Sequence, residues 1–263
     1  MSTPLRCVYL DLDGTLLGRD ASFLHDADGG FSLLGARALE ACARAGTEVV
    51  IYSGRRRSTL FHDARILGVR CYAFEAGAGF VLDGELHWLT GDVVPEEGRT
   101  VFDVIEASGA PALLLDRFAL EYHAPWHEDR DVSHLFRGLA DAAEVDALLE
   151  AEGHGALRLV DNGAIVAPMP GIPRPHAYHL IPRAASKARA VAFHMRARGY
   201  APEECIAVGD SQEDLGAAEA VGTFWLVANG AADTTGVANV RRCEGANGAG
   251  VYEAVLTELA ERR

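Results

Sequence analysis

The sequence predicts an α/β protein whose parallel sheet is split by an inserted α+β segment, and three observations carry that prediction. Apolar runs of strand length alternate with helically spaced segments over residues 1–81 and again over 182–263, a β-α-β rhythm that implies parallel strands. Three of those runs end in polar tips: Asp11 with Asp13, Ser53-Gly54-Arg55, and Gly209-Asp210-Ser211. Between the two halves, residues 82–181 lose the rhythm and mix short strand-like and helix-like pieces, with prolines crowded into "APMPGIPRP".

In chain order, Val8-Tyr9-Leu10 is an apolar strand that runs into "DLDGTLL". "FSLLGARALEACARAG" (31–46) has apolar residues at helical spacing and a glycine where a helix would stop. "TEVVIYSGR" (47–55) is a second strand, "STLFHDARILG" a helix, and "VRCYAFEAGA" (69–78) a third strand. "FVLDGELHWL" is a hairpin around Asp83-Gly84, and it opens the insertion. Inside the insertion the pattern gives strands at 112–115, 120–122, 156–160, 164–168 and 178–181, with helices at 101–107 and 143–152. Regular alternation returns with "ASKARAVAFHMRARG" (185–199) as a helix and "CIAVGDSQED" (205–214) as a strand with a polar end. "LGAAEAVG" is then a helix, "TFWLVANG" a strand, and "GVYEAVLTELAERR" the closing helix. The core is thus 1–81 with 182–263, and the insertion is 82–181.

Composition narrows the function. With 24 Lys plus Arg against 38 Asp plus Glu, the net charge of −14 repels polyanions, so nucleic acid is not an expected partner. The 49% hydrophobic content is that of a folded chain, and no apolar run reaches membrane-spanning length, so no membrane partner is expected either. Five cysteines without a C-x-x-C pair, and no signal peptide, predict a reduced cytoplasmic protein.

In open α/β sheets ligands collect beyond the carboxyl ends of the strands, where Asp11, Asp13, Ser53, Asp210 and Asp214 would meet. Asp11 and Asp13 lie one residue apart and would point the same way on an extended chain, a repulsive arrangement unless a cation or proton compensates it. Four carboxylates with one serine and one lysine, Lys187, suit a hard divalent cation, and the small number of protein ligands suggests Mg²⁺ shared with a phosphate. Such a set can accept a phosphoryl group on a carboxylate while a second carboxyl moves protons.

These residues match a family. "DLDGTLL" (11–17), "VVIYSGR" (49–55), Lys187 in "SKARAV" and "VGDSQED" (208–214) resemble, in order and spacing, the four motifs of the haloacid dehalogenase superfamily of phosphatases. "FEAGA" (74–78) is similar to the "ENGA" stretch of its sugar-phosphatase-like, Cof-type branch, and the insertion resembles that branch's C2 cap. The resemblance implies a Rossmann-like three-layer core with a C2-type cap. It further implies an Mg²⁺-dependent phosphatase with Asp11 as nucleophile, Asp13 as general acid/base, and Ser53, Gly54 and Lys187 on the phosphate. Asp11, the Asp13 backbone carbonyl, Asp210 and Asp214 would form the metal shell, and removal of Lys187 is expected to leave the fold intact. The family pattern is broken at Glu213, where Asn is usual, while Asp13 itself speaks against dehalogenation.

Simpler readings stand beside these. "DADG" (26–29) repeats the D-x-D-G spelling without a strand before it and reads as a polar loop, so the spelling alone is not a site. Ser53 could cap a helix, and Arg55-Arg56-Arg57 could be a solvated face, although Arg55 stands beside Ser53. His123 and His127 have the spacing of a zinc helix, but Pro125 between them excludes a regular helix. "GANGAG" (245–250) reads as a turn before the last helix rather than a dinucleotide loop. In the insertion, Arg130, His134, Arg137, Arg158 and Asn162 are candidate contacts to polar or anionic substrate groups. "EYHAPW" and "YHLIP" are similar to the mannosyl-phosphoglycerate phosphatase branch, which implies a phosphorylated sugar or sugar acid. A phosphomutase and a non-catalytic sugar-phosphate sensor remain as alternatives.

Overall fold

The computed structural model describes residues 3–166 and 168–262. The first half of the chain runs β1 (Cys7–Leu10), α1 (Leu34–Ala45), β2 (Glu48–Tyr52), α2 (Arg57–Leu67), β3 (Cys71–Phe74), β4 (Gly79–Leu82) and β5 (Glu85–Trp88). A middle stretch follows with α3 (Val101–Ser108), α4 (Ala110–Arg117), β6 (Ala119–Tyr122), β7 (His134–Leu139), α5 (Ala142–Ala151), β8 (Leu157–Ala164) and β9 (His176–Pro182). The chain closes with α6 (Lys187–Arg198), β10 (Cys205–Gly209), α7 (Gln212–Leu215), β11 (Thr223–Leu226), β12 (Val240–Arg242) and α8 (Asn247–Glu261).

The strands form two sheets. The larger has the order β12-β11-β10-β1-β2-β3-β4-β5, parallel from β12 to β3 and antiparallel where β4 and β5 are added. The smaller is antiparallel, β6-β7-β9-β8. β1 is CVYL with every side chain buried, as a central strand covered on both faces requires. Val8 and Leu10 pack with Ala38, Leu60 and Val251 of α1, α2 and α8, while Cys7 and Tyr9 pack on the other face with Ala190 and Val191 of α6. Two helical layers therefore sandwich the large sheet. A third apolar cluster lies under the small sheet, where Phe136, Tyr178 and Leu180 meet Ile105 and Val145 of α3 and α5.

Several sequence expectations are corrected. Residues 82–88, placed with the insertion, complete the β4-β5 hairpin on the edge of the large sheet, because their alternating side chains pair with β3 through β4. Residues 112–115 are helical, in α4, where Pro111 in the first turn starts a helix that an apolar run alone does not distinguish from a strand. Strand β8 ends at Ala164, so 165–166 and 168 are not strand, and Ala167 lies outside the described residues. β7 and β12 were not anticipated. The helix expected at 215–222 is instead α7 followed by a short 3₁₀ turn, Gly216–Glu219. No helix among the described residues is long and apolar enough to cross a membrane.

Candidate active site

Three neighbouring parallel strands, β10, β1 and β2, end side by side, and the next residue of each is Asp210, Asp11 and Ser53. Asp11 and Ser53 are buried. Lys187 opens α6, whose N-cap Ser186 accepts from the Arg189 backbone N–H, and the lysine side chain runs inward until it is 2% exposed. Its Nζ lies 2.7 Å from Asp11 Oδ1 and 2.5 Å from Asp214 Oδ1, and 5.1 Å from the centre of the Tyr52 ring. Burial alone would favour loss of its proton, and the carboxylates of Asp11 and Asp214 reverse this and raise the ammonium pKa above its ordinary value.

Asp11, Asp210 and Asp214 each offer a carboxylate oxygen within 4.8 Å of the others. Burial, and then the like charges of Asp214 and Asp210 against the counter-effect of Lys187, hold the Asp11 carboxyl well above the usual carboxylate range. Burial and Asp214 push Asp210 up to about 6, although Thr15 Oγ1 donates to it at 2.9 Å. Three carboxylates against one ammonium leave an excess of negative charge that a divalent cation would neutralise. All-oxygen donors of this kind fit a hard ion such as Mg²⁺. Asp214 itself is fixed by N–H donors from Asp210 and Ser211 and by the Ser211 hydroxyl at 2.6 Å, a capping box that also starts α7.

Asp13 is placed differently. Its carboxylate is exposed and takes both prongs of Arg55, Nε to Oδ2 at 2.7 Å and Nη2 to Oδ1 at 2.6 Å, while Arg55 Nη1 reaches Asp63 at 2.9 Å. Asp13 therefore does not join the carboxylate trio through its side chain. The loop that carries it is held from behind by residues the sequence reading missed. Asn229 and Asn247 both donate to the Gly14 carbonyl, at 2.7 and 2.8 Å, and Asn247 also donates to the Leu17 carbonyl. Gly14 has φ of +85°, and a Cβ there would lie 2.5 Å from Asp210 Oδ2, so the turn that brings Asp13 past Asp210 needs glycine.

Above this edge a cavity of about 570 Å³ opens between the two sheets. Its floor holds Asp11, Ser53, Lys187 and Asp210, and its roof holds Trp126, Arg130, Asn162 and His179 from the middle stretch of the chain. The two walls come close at Gly54, where a Cβ would lie 2.9 Å from His179 Nε2. Arg130 is anchored, donating to Ser133 Oγ at 2.8 Å, the Gly54 carbonyl at 3.2 Å and the Trp126 carbonyl at 2.9 Å. His179, also missed in sequence, is fully buried with Nδ1 3.2 Å from Ser133 Oγ; burial, then the cations Arg130 and Lys187, hold its pKa well below the ordinary value.

Three proposed substrate contacts lie elsewhere. His134 is buried beneath Phe102, ring centres 3.8 Å apart, with Nε2 3.1 Å from the Phe102 carbonyl, because its strand position points it into the small core. Arg137 pairs with Glu121, its register partner on β6. Arg158 turns to the Ala185 carbonyl and to Glu213. His123 and His127 sit in a turn rather than a helix, and only His123 lines the cavity.

The site is thus a carboxylate trio and a buried lysine at the carboxyl edge of a parallel sheet, under a roof formed by inserted chain. A family model described as haloacid dehalogenase-like hydrolase matches residues 173–255, the segment that carries Lys187, Asp210 and Asp214. Over that segment the chain is similar to the haloacid dehalogenase-like hydrolases, and its fold is that of solved members of the same group. The sucrose-phosphatase of Synechocystis sp. PCC6803, solved with sucrose and phosphate, superposes with a TM-score of 0.68 at 16% identity, over 97% of this chain and 98% of that one. A structure from Bacteroides thetaiotaomicron, described among phosphatases of the haloalkanoate enzyme superfamily, gives 0.67 at 19% identity over 98% and 96%. A haloacid dehalogenase-like hydrolase from B. subtilis gives 0.63 at 20% identity over 95% and 99%. At these identities the likeness is one of fold, and no curated protein matches the sequence.

Proposed function

We propose that this protein is an Mg²⁺-dependent phosphatase acting on a small phosphorylated sugar or sugar acid. The observation that carries the reading is Lys187 Nζ held between Asp11 and Asp214 beside the open cavity, a fixed cation next to a carboxylate of nucleophile geometry. Asp11, Asp210 and Asp214 would hold the ion, which supplies charge neutralisation of the phosphoryl oxygens. An Asp11 oxygen attacks phosphorus, the bond to the leaving alcohol oxygen breaks, and an acyl phosphate remains on Asp11. Lys187 and the Ser53 hydroxyl stabilise the phosphoryl oxygens. Asp13 delivers a proton to the leaving oxygen and then takes one from the water that hydrolyses the acyl phosphate; to do so its carboxylate exchanges Arg55 for the substrate.

The small sheet with its helices then acts as a substrate-selecting cap. Trp126 is 57% exposed and lines the cavity, a flat apolar face suited to a sugar ring, while Asn162 and Arg130 border the polar side. The sucrose and phosphate held by the Synechocystis structure support the same substrate class. The test is phosphate release from a panel of phosphorylated sugars and sugar acids and from p-nitrophenyl phosphate, with Mg²⁺ and with chelator. Mg²⁺-dependent release that Asp11→Asn abolishes is expected. Isomerisation of a sugar phosphate without net release would identify a mutase, and binding without turnover a sensor; either result overturns the proposal.

A further inference from the structure

At the opposite end of the same strands lies a second cluster of ligating side chains. β1 begins at Cys7, whose register partners are Glu48 at the start of β2 and Cys205 at the start of β10, so the neighbouring strands β10, β1 and β2 open with a thiol, a thiol and a carboxylate in one row. His194, from α6, covers that row. Cys7 Sγ, a Glu48 carboxylate oxygen and a His194 ring nitrogen lie within 4.8 Å of one another. Cys7 sits about 13 Å along β1 from Asp11, four residues at strand rise, so this cluster is separate from the active site.

The histidine points to a ligand. It is fully buried, its Nδ1 is 2.8 Å from the Tyr9 hydroxyl, and its Nε2 has no hydrogen-bond partner among the described residues. Nε2 lies 3.5 Å from Glu48 Oε1. A buried imidazole nitrogen left without a partner is a cost that native interiors avoid. With its proton on Nδ1 and shared with Tyr9, the ring presents a lone pair at Nε2 toward Cys7 and Glu48, the arrangement in which an outer hydrogen bond fixes the tautomer of a metal-bound histidine. Glu48 is held in place by Arg198, at 3.0 Å, and by the Tyr200 hydroxyl, at 2.8 Å, and it is only partly buried, which leaves a route from solvent.

We propose that Cys7, Glu48 and His194 form a binding site for a thiophilic divalent cation of the Zn²⁺ class. Thiolate, imidazole and carboxylate together suit Zn²⁺ or Co²⁺ and not Mg²⁺. The Cys7 proton leaves to solvent on binding, and the Cys205 thiol stands beside the site as a fourth donor.

The test uses the full chain, stripped of metal and kept in excess Mg²⁺, titrated with Co²⁺ and followed by thiolate-to-cobalt charge-transfer absorption. One equivalent is expected to develop the band, and Zn²⁺ to displace it. Cys7→Ser removes the band, His194→Gln weakens Co²⁺ binding by about tenfold or more, and Asp11→Asn leaves both unchanged. Folding of each variant is checked by circular dichroism, and His194→Gln carries the test if Cys7→Ser does not fold. Absence of the band in the unaltered chain, or a band and affinity that survive His194→Gln, overturns the proposal and leaves a buried imidazole–carboxylate pair.

Discussion

Arg158 of the small sheet and Glu213 of the core form a two-contact ion pair, Nη2 to Oε1 at 2.7 Å and Nη1 to Oε2 at 3.3 Å. Glu213 Oε1 also accepts from the Lys187 backbone N–H at 3.3 Å, so one carboxylate touches both the residue that opens α6 and the inserted sheet. The position where this chain departs from the Asn usual in the family its motifs resemble is therefore a tie between roof and floor of the cavity.

Arg158→Ala leaves Glu213 half-satisfied at a partly buried site and is expected to destabilise the protein by about 1–2 kcal/mol. A double-mutant cycle with Glu213→Gln, read by urea unfolding, checks it, because coupling well below about 0.5 kcal/mol would mean the pair is merely adjacent. If the tie also sets the cavity, Arg158→Ala raises KM for the natural substrate more than for p-nitrophenyl phosphate, which has little to offer the roof.

Glu75 is a second tie, and a stronger one. It is fully buried at φ of +49°, and its carboxylate accepts three consecutive backbone N–H groups, Asp131 at 2.9 Å, Val132 at 3.0 Å and Ser133 at 2.6 Å. Glu75→Ala strands three donors of the segment that leads into β7 and is expected to cost about 3 kcal/mol or more. Denaturant unfolding measures the loss, and faster proteolysis near residues 123–133 than in the unaltered chain would locate it.

Acid should loosen the roof before the core. His134 and His179 both have pKa values below their ordinary 6.5, in each case chiefly through burial, with Arg130 adding repulsion to both and Lys187 to His179. Each is therefore neutral when folded and takes up a proton more readily when unfolded, so stability falls as the pH drops below 6.5. The slope is at most about 1.4 kcal/mol per pH unit for each histidine. His179→Gln is expected to flatten the stability profile between pH 6.5 and 5; an unchanged slope would show that His179 is not kept neutral.

How far these features could be read from sequence depended on how locally they are encoded. Asp11, Ser53, Lys187 and Asp210 each follow or open a regular element with a clear period, so their convergence at one edge was legible from alternation alone. Ties between distant segments were not: Glu75, His179, Asn229 and Asn247 act through partners 46 to 233 residues away, and no local pattern marks them. In the insertion, Arg137 and Arg158 looked like substrate contacts because a charged side chain carries no sign of whether its partner is a ligand or, as here, Glu121 and Glu213. The strand expected at 112–115 failed for a related reason, since a short apolar run does not state its period.

The charge balance of the active site separates function from stability, and a pair of variants tests this. Without a cation, Asp11, Asp210 and Asp214 face one ammonium, and burial with like-charged neighbours raises the pKa of both Asp11 and Asp210. Asp11→Asn keeps the shape, removes one charge and leaves Lys187 paired one to one with Asp214. Under chelator it is expected to raise the unfolding free energy by about 1 kcal/mol while abolishing turnover. Lys187→Met has the opposite consequence for stability: it leaves two buried carboxylates, Asp11 and Asp214, without their counter-ion, and should cost about 3–5 kcal/mol. Mg²⁺ held by the same carboxylates restores part of what Lys187→Met loses and shrinks what Asp11→Asn gains, so thermal unfolding of both variants with and without Mg²⁺ decides the matter. Equal Tm for both in chelator would mean that the trio is not charged in the folded protein.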